Sequence, residues 1–211
     1  MKVREIYDAF AAHYGDLQWW PARTPYEVMV GAVLTQNTNW SNVEHAIRNL
    51  SDDLSPEFIQ DVDMDALKTM IKPAGFFNQK AVYLKAITAW YAQYDYSVQK
   101  VQQHPLAKIR KEILSVKGAG KETADSVLLY AFGFPTFVVD AYTQRLCARV
   151  PLDAGKNYDA VKTYFETHLD VSAKVYNHYH AYIVMNAKEY CKKTNPNCAQ
   201  CPIAVLCKKM V

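Results

Sequence analysis

An all-α fold is predicted by three features of the chain. Apolar residues recur at three- and four-residue intervals almost throughout, strand-like alternation is nearly absent, and Pro and Gly punctuate the pattern at helix-length intervals. The first helix is expected over 2–14, ahead of Pro21, and the second over 25–35. Helices over 41–51 and, broken, over 55–70 follow; Pro56 enters the broken one, and Pro73 with Gly75 lies beyond it. The next are 78–93 and 105–116, the latter begun by Pro105. The Gly118–Gly120 turn separates this pair from 121–132, which Gly133 and Pro135 close. Three last helices, 140–149, 157–168 and 172–190, lead into a cysteine-bearing loop at the carboxyl end.

Half of the 211 residues are hydrophobic, enough to bury a sizeable core in one large or two small domains. The formal charge of +3 permits nucleic acid as a partner without requiring it. Met1-Lys2-Val3-Arg4-Glu5 lacks the apolar stretch of a signal peptide. The longest apolar run, Val127 to Val139, is broken by Gly133 and Pro135 and is too short to span a bilayer. A soluble cytoplasmic protein with reduced thiols is expected. Cys147, inside a helical pattern, reads as a small core residue.

The loudest signal is Cys191, Cys198, Cys201 and Cys207, a C-x6-C-x2-C-x5-C run. The intervening loops are polar and rich in turn formers, and Pro202 stops a helix from running through the cysteines. Four thiolates held by short loops suit a [4Fe–4S] cluster first, a structural zinc second and two disulfides last.

Two of the chain's seven glycines sit together in Val116-Lys117-Gly118-Ala119-Gly120-Lys121, between two good helices. Such a turn permits positive φ angles and close approach to its backbone, and the N–H groups opening the second helix favour an anion. An ordinary helix–helix turn is the plain alternative, but the flanking lysines point to a helix–hairpin–helix that grips a backbone phosphate. Twenty residues on, the apolar stretch Phe134 to Val139 ends in Asp140. That position is an N-cap, which explains an Asp without function. The same placement also desolvates and orients a carboxylate able to stabilise a cationic sugar and direct a water.

Leu114 to Asp125, Val138 to Arg145 and the four cysteines, in that order, resemble the endonuclease III-like helix–hairpin–helix DNA glycosylases of base excision repair, over essentially the whole chain. The resemblance implies a bilobal all-α fold with a carboxyl-terminal [4Fe–4S] loop: a six-helix domain over 22–135, and a second domain of 1–21 plus 136–211. It implies an active site in the cleft between them, Asp140 as the catalytic aspartate, and double-stranded DNA containing damaged bases as partner. A monomer close to the nucleoid is expected. Lys117, Gly118, Gly120, Lys121 and Thr123 would hold DNA, and Gln36 or Asn37 in Thr35-Gln36-Asn37-Thr38 would fill the gap left by an extruded nucleotide.

Departures from the pattern refine the expectation. Bifunctional relatives carry a Schiff-base lysine two residues after the second glycine, where this chain has Glu122. A carboxylate forms no imine, so a monofunctional enzyme is expected. Lys121, one position earlier, is turned about 100° away. Adenine-mismatch relatives need a glutamate where this chain has Ala32, so a base that is already cationic, such as an N-alkylated purine, suits the site better. Trp19, Trp20, Pro21 and Trp40 would box such a base beside Glu122 by cation–π attraction, or simply pack as core. These segments most resemble the 3-methyladenine glycosylase branch. Lys188 is a weaker candidate to support Asp140, and the pairs Lys192–Lys193 and Lys208–Lys209 to face DNA. Rival readings are a bifunctional glycosylase/lyase for oxidised pyrimidines, a non-catalytic damage binder, and, least fitting, an electron-transfer module.

Overall fold

A computed structural model describes residues 2–17, 19–50 and 54–208. Among the described residues all regular structure is helical. The chain divides into two compact units, Ala22–Phe134 (the central unit) and Met1–Pro21 with Pro135–Val211 (the terminal unit).

The central unit holds α2 Pro25–Leu34, α3 Trp40–Asn49, α4 Pro56–Asp61, α5 Met64–Met70, α6 Phe77–Ala92, α7 Val98–Gln102, α8 Leu106–Ser115 and α9 Lys121–Ser126. Its hub is α2, buried from Tyr26 through Leu34 and packed against α3, α6 and α9. A helix apolar on all sides must sit inside its neighbours, and the sequence of α2 leaves it no solvent face. Start signals behave as chemistry dictates: Thr24, Ser55 and Ser97 accept N-cap bonds, and Pro25 and Pro56 occupy first-turn positions where no N–H is missed. Arg110 on α8 meets the fully buried Asp125 on α9 through two parallel bonds of 2.8 and 2.9 Å, fixing the angle of the pair.

The terminal unit packs α12 Ala173–Glu189 against α1 Lys2–Tyr14 and α10 Ala141–Arg149, with α11 Tyr158–His168 against α1. Its core is aromatic: Phe137 stacks on Phe165 at 4.3 Å, and Tyr179, fully buried, closes edge-on against Phe137, Phe165 and Tyr7. Burial pushes the Cys147 thiol up to about 12, so it stays protonated and inert.

The helix expected over 121–132 is not uniform. It is α-helical to Ser126 and opens into a π-helical turn over Val127–Ala131, where Phe132 N–H donates to Val127 carbonyl five residues back. The short α7 and the 3-10 turn Lys72–Ala74 had no counterpart in the sequence reading. The end of the helix expected over 41–51 falls at Asn49 in the structure, with Ser51 outside the described residues.

Candidate functional site

In the central unit the hairpin and the 35–38 loop form one construction. The Gln36 side-chain amide donates to Gly118 carbonyl at 2.9 Å and to the Thr123 hydroxyl at 3.0 Å. Gln36 thus points into the hairpin as a brace and Thr123 is buried beneath it, while the neighbouring Asn37 is exposed with a left-handed φ of 53°. The two glycines also differ. Gly118 has φ +86°, and a β-carbon there would lie 2.1 Å from the Tyr83 ring, so both conformation and space demand glycine. Gly120 is extended, opens onto free space and starts α9 without a side-chain cap. Only one of the pair therefore needs the positive φ expected of both. Lys117, Gly120, Lys121 and Glu122 are exposed around this turn, and Ala32 is buried within α2.

Phe76, which the sequence reading did not single out, is 62% exposed and left-handed (φ 48°) at the start of α6. An aromatic ring held in solvent on a strained backbone is unusual. The clue in the sequence was Gly75-Phe76-Phe77 after a proline, with no helical phase to bury the first ring. Both tips, Asn37 and Phe76, rest on one buried side chain. Lys80, 2% exposed, donates from Nζ to Leu34 carbonyl at 2.9 Å and to Ala74 carbonyl at 2.8 Å, just ahead of each tip. Burial pulls this ammonium down to about 8, and the two carbonyls stabilise its charged form.

In the terminal unit Asp140 caps α10. Its Oδ1 accepts from Thr143 N–H at 2.7 Å and from the Thr143 hydroxyl at 2.9 Å, while Oδ2 lies 3.4 Å from His180 Nε2 on α12. Both side chains are nearly buried, 11% and 7% exposed. Burial is the largest single influence on the carboxyl and pushes its pKa up; the neighbouring His180 and the two Thr143 bonds together outweigh it and hold the group below the ordinary value. Asp140 therefore serves as cap and as ionised, nearly buried carboxylate at once. The charge partner beside it is His180, which the sequence reading missed. Lys188 lies eight residues further along α12, ~12 Å away along the axis. Its ammonium stands 5.8 Å from the centre of the Trp19 ring. Trp20 is left-handed (φ 67°), a strained conformation for a bulky residue. Trp19, Trp20 and Pro21 belong to the terminal unit, and Trp40, which opens α3, to the central one.

After α12 the chain turns into the cysteine loop. Cys191, Cys198, Cys201 and Cys207 all line one pocket, walled by Leu146, Val150 and Ile203, and none is in a disulfide. The arginines of α10 hold the loop: Arg145 Nε donates to Cys191 carbonyl at 2.8 Å, and Arg149 reaches Cys191 Sγ at 3.2 Å and Lys192 carbonyl at 2.8 Å. Among the described residues no three or more His, Cys, Asp or Glu side chains converge as a set for a metal ion. Lys192, Lys193 and Lys208 are exposed, and Lys209 lies outside the described residues. No described helix is long and apolar enough to cross a membrane.

A helix–hairpin–helix with one obligatory glycine, followed by a nearly buried aspartate capping the next helix, defines a class of DNA repair protein. Residues 30–170 match the family described as HhH-GPD superfamily base excision DNA repair protein, and this chain belongs to that superfamily. A candidate DNA repair glycosylase of Methanocaldococcus jannaschii is 46% identical over 212 residues, covering 97% of this chain and 95% of the relative. Endonuclease III of Haemophilus influenzae is 28% identical over 188 residues, covering 88% and 84%. Among solved structures, the H. pylori 3-methyladenine DNA glycosylase MagIII bound to 1,N6-ethenoadenine matches with a TM-score of 0.76 at 27% identity, over 89% of this chain and 98% of that one. A trapped endonuclease III–DNA covalent intermediate matches with a TM-score of 0.83 at 22% identity, over 99% and 96%, a likeness of fold. The resemblance read from three sequence motifs is borne out at the level of the superfamily.

Proposed function

We propose that this protein is a monofunctional DNA glycosylase that hydrolyses the N-glycosidic bond of damaged bases in double-stranded DNA, N-alkylated purines foremost. The observation that carries the reading is Asp140: nearly buried, held ionised, and fixed by Thr143 so that one carboxylate oxygen remains for chemistry. A preorganised anion of this kind stabilises the positive charge that develops on the sugar as the base departs, and it orients the water that replaces the base.

In this reading the Gly118 turn and the exposed Lys117 and Lys121 grip a phosphate without reading sequence. Asn37 and Phe76 enter the stack, the amide filling the space of the extruded nucleotide and the ring wedging between neighbouring bases. Gln36 braces the 35–38 loop against the hairpin rather than entering itself. Glu122 stands where a Schiff-base lysine would be needed, so the reaction stops at an abasic site. The alkylpurine preference is supported by Ala32, which offers no acid to protonate a neutral purine, and by Trp19, whose ring already attracts the Lys188 ammonium and would attract a cationic base in the same way. It is further supported by the bound ethenoadenine of the 27% identical relative.

The four cysteines, none in a disulfide and all lining one apolar-walled pocket, are a donor set whose chemistry fits a [4Fe–4S] cluster. Cys191, Cys198, Cys201 and Cys207 would hold it, and when bound it would stiffen the loop that carries Lys192 and Lys193. The test of the reading is a panel of duplexes bearing 3-methyladenine, 7-methylguanine, uracil, thymine glycol or a mismatch, each with and without alkali. Release from the methylated purines with strand breaks only after alkali is expected. A borohydride-trapped covalent adduct would establish the lyase instead.

A further inference from the structure

We propose that His180 is a positioning residue for base release, holding the working oxygen of Asp140 through the N–H of its Nε2. The inference rests on the reading of Asp140 as the catalytic carboxylate and asks which group fixes it.

The geometry divides the carboxylate into two halves. Oδ1 takes two short bonds from Thr143 and is spent on starting α10. Whatever Asp140 does to a substrate it does through Oδ2, which lies 3.4 Å from His180 Nε2. At that distance the two groups are in charge contact rather than hydrogen-bonded, and catalytic hydrogen bonds commonly close only in the substrate complex, here by a small rotation of either ring or carboxylate. His180 itself cannot wander. It is 5% exposed on α12, between Tyr179 and Ala181, both fully buried. A buried histidine facing a carboxylate must present an N–H to it, because a bare ring nitrogen would set lone pair against lone pair. Both the imidazolium and the neutral Nε2–H tautomer meet that demand, so the positioning role needs the donor rather than the charge. α12 is fixed in turn by its packing on α1 and α10, and Tyr179 donates its hydroxyl to Val3 carbonyl at 2.8 Å. The position of Oδ2 is thus set by two helices, α10 through Thr143 and α12 through His180.

The test compares wild type, His180→Ala, His180→Gln and Asp140→Asn in the full-length protein, with Gln chosen because its side-chain N–H reaches about as far as Nε2. Single-turnover base release from dimethyl-sulfate-treated duplex is read beside the Kd for an abasic duplex, the thermal midpoint and the carboxyl 13C titration of Asp140. We expect His180→Ala to slow release 10- to 100-fold with Kd within twofold of wild type. His180→Gln should recover to within about fivefold of the wild-type rate. The Asp140 carboxyl, still buried but without its donor, should titrate at higher pH in His180→Ala than in wild type, a readout that needs no substrate. The proposal is overturned if His180→Ala releases base at the wild-type rate, if a folded His180→Gln is as slow as His180→Ala, or if the Asp140 titration does not move. An inactive Asp140→Asn beside a fully active His180→Ala would overturn this inference alone. A fully active Asp140→Asn would overturn the reading of Asp140 itself.

Discussion

Lys80 Nζ and the carbonyl of Leu34 are 2.9 Å apart, and the same ammonium holds Ala74 carbonyl at 2.8 Å. One buried side chain thereby closes the end of α2 and the turn before α6, the two places from which Asn37 and Phe76 project. Lys80→Met keeps much of the volume and removes the donors, leaving two carbonyls without their partner. The expected loss is about 2–4 kcal/mol in urea unfolding. Amide exchange should accelerate together at 36–38 and 75–77. Acceleration at only one of the two tips would show that they are not coupled through Lys80.

The hairpin glycines should respond in opposite ways. Gly118→Ala forces a side chain into a left-handed conformation and against Tyr83, which should cost about 2–4 kcal/mol of stability. Gly120→Ala meets open space, so its thermal midpoint should barely change; if the hairpin grips a phosphate as proposed, the added methyl should lower affinity for an abasic duplex. Equal loss of stability in the two variants would contradict this assignment of roles.

Asp140 links the proposed chemistry to acid stability. Its pKa is lower in the folded protein than in the unfolded chain, so its ionised form stabilises the fold. The unfolded state binds the proton more tightly, so this contribution is fully present above about pH 4 and is lost as pH falls through the folded value. Asp140→Asn preserves N-cap character, since Asn caps about as well as Asp. The stability difference between wild type and Asp140→Asn, measured by urea unfolding, should be largest near neutrality and shrink in acid. A difference that grew on acidification would have the wrong sign.

The cysteine loop gives a spectroscopic prediction. Protein prepared without oxygen should show broad visible absorption, and Cys198→Ser or Cys201→Ser should abolish it. Loss of the cluster should weaken DNA binding, through the loop bearing Lys192 and Lys193, more than it slows base release at saturating DNA. Colourless protein holding one zinc would replace the cluster with the second alternative raised by the spacing.

Most helices were legible because their punctuation is local: Pro56 at a first turn, Pro105 ahead of α8, Gly118 at the hairpin, Asp140 at the cap. The π-helical turn over Val127–Ala131, which packs against α2, was not, since no side chain in Val-Leu-Leu-Tyr-Ala marks a change of helical pitch. α7 is five residues long, too short for periodicity to register. Within the site, Asp140 and the hairpin could be read because motif and position coincide. The bracing role of Gln36 and the buried link made by Lys80 could not, because each reaches a backbone carbonyl far along the chain, Gly118 and Leu34, 82 and 46 residues away, which no pattern of side chains records. His180 left a trace: it lies on the stripe Tyr176, Tyr179, Ile183 and Ala187, one polar ring on the buried face of α12. A polar residue on such a face asks for a partner, and the sequence alone does not say that the partner is Asp140.

The central claim is base release by Asp140 without strand cleavage, and single-turnover assays on methylated duplex with and without alkali test it most directly. Wild type should break the strand only after alkali, and Asp140→Asn should fall by about 100-fold or more while still binding an abasic duplex. Strand cleavage by wild type without alkali, or undiminished release by Asp140→Asn, would contradict the account.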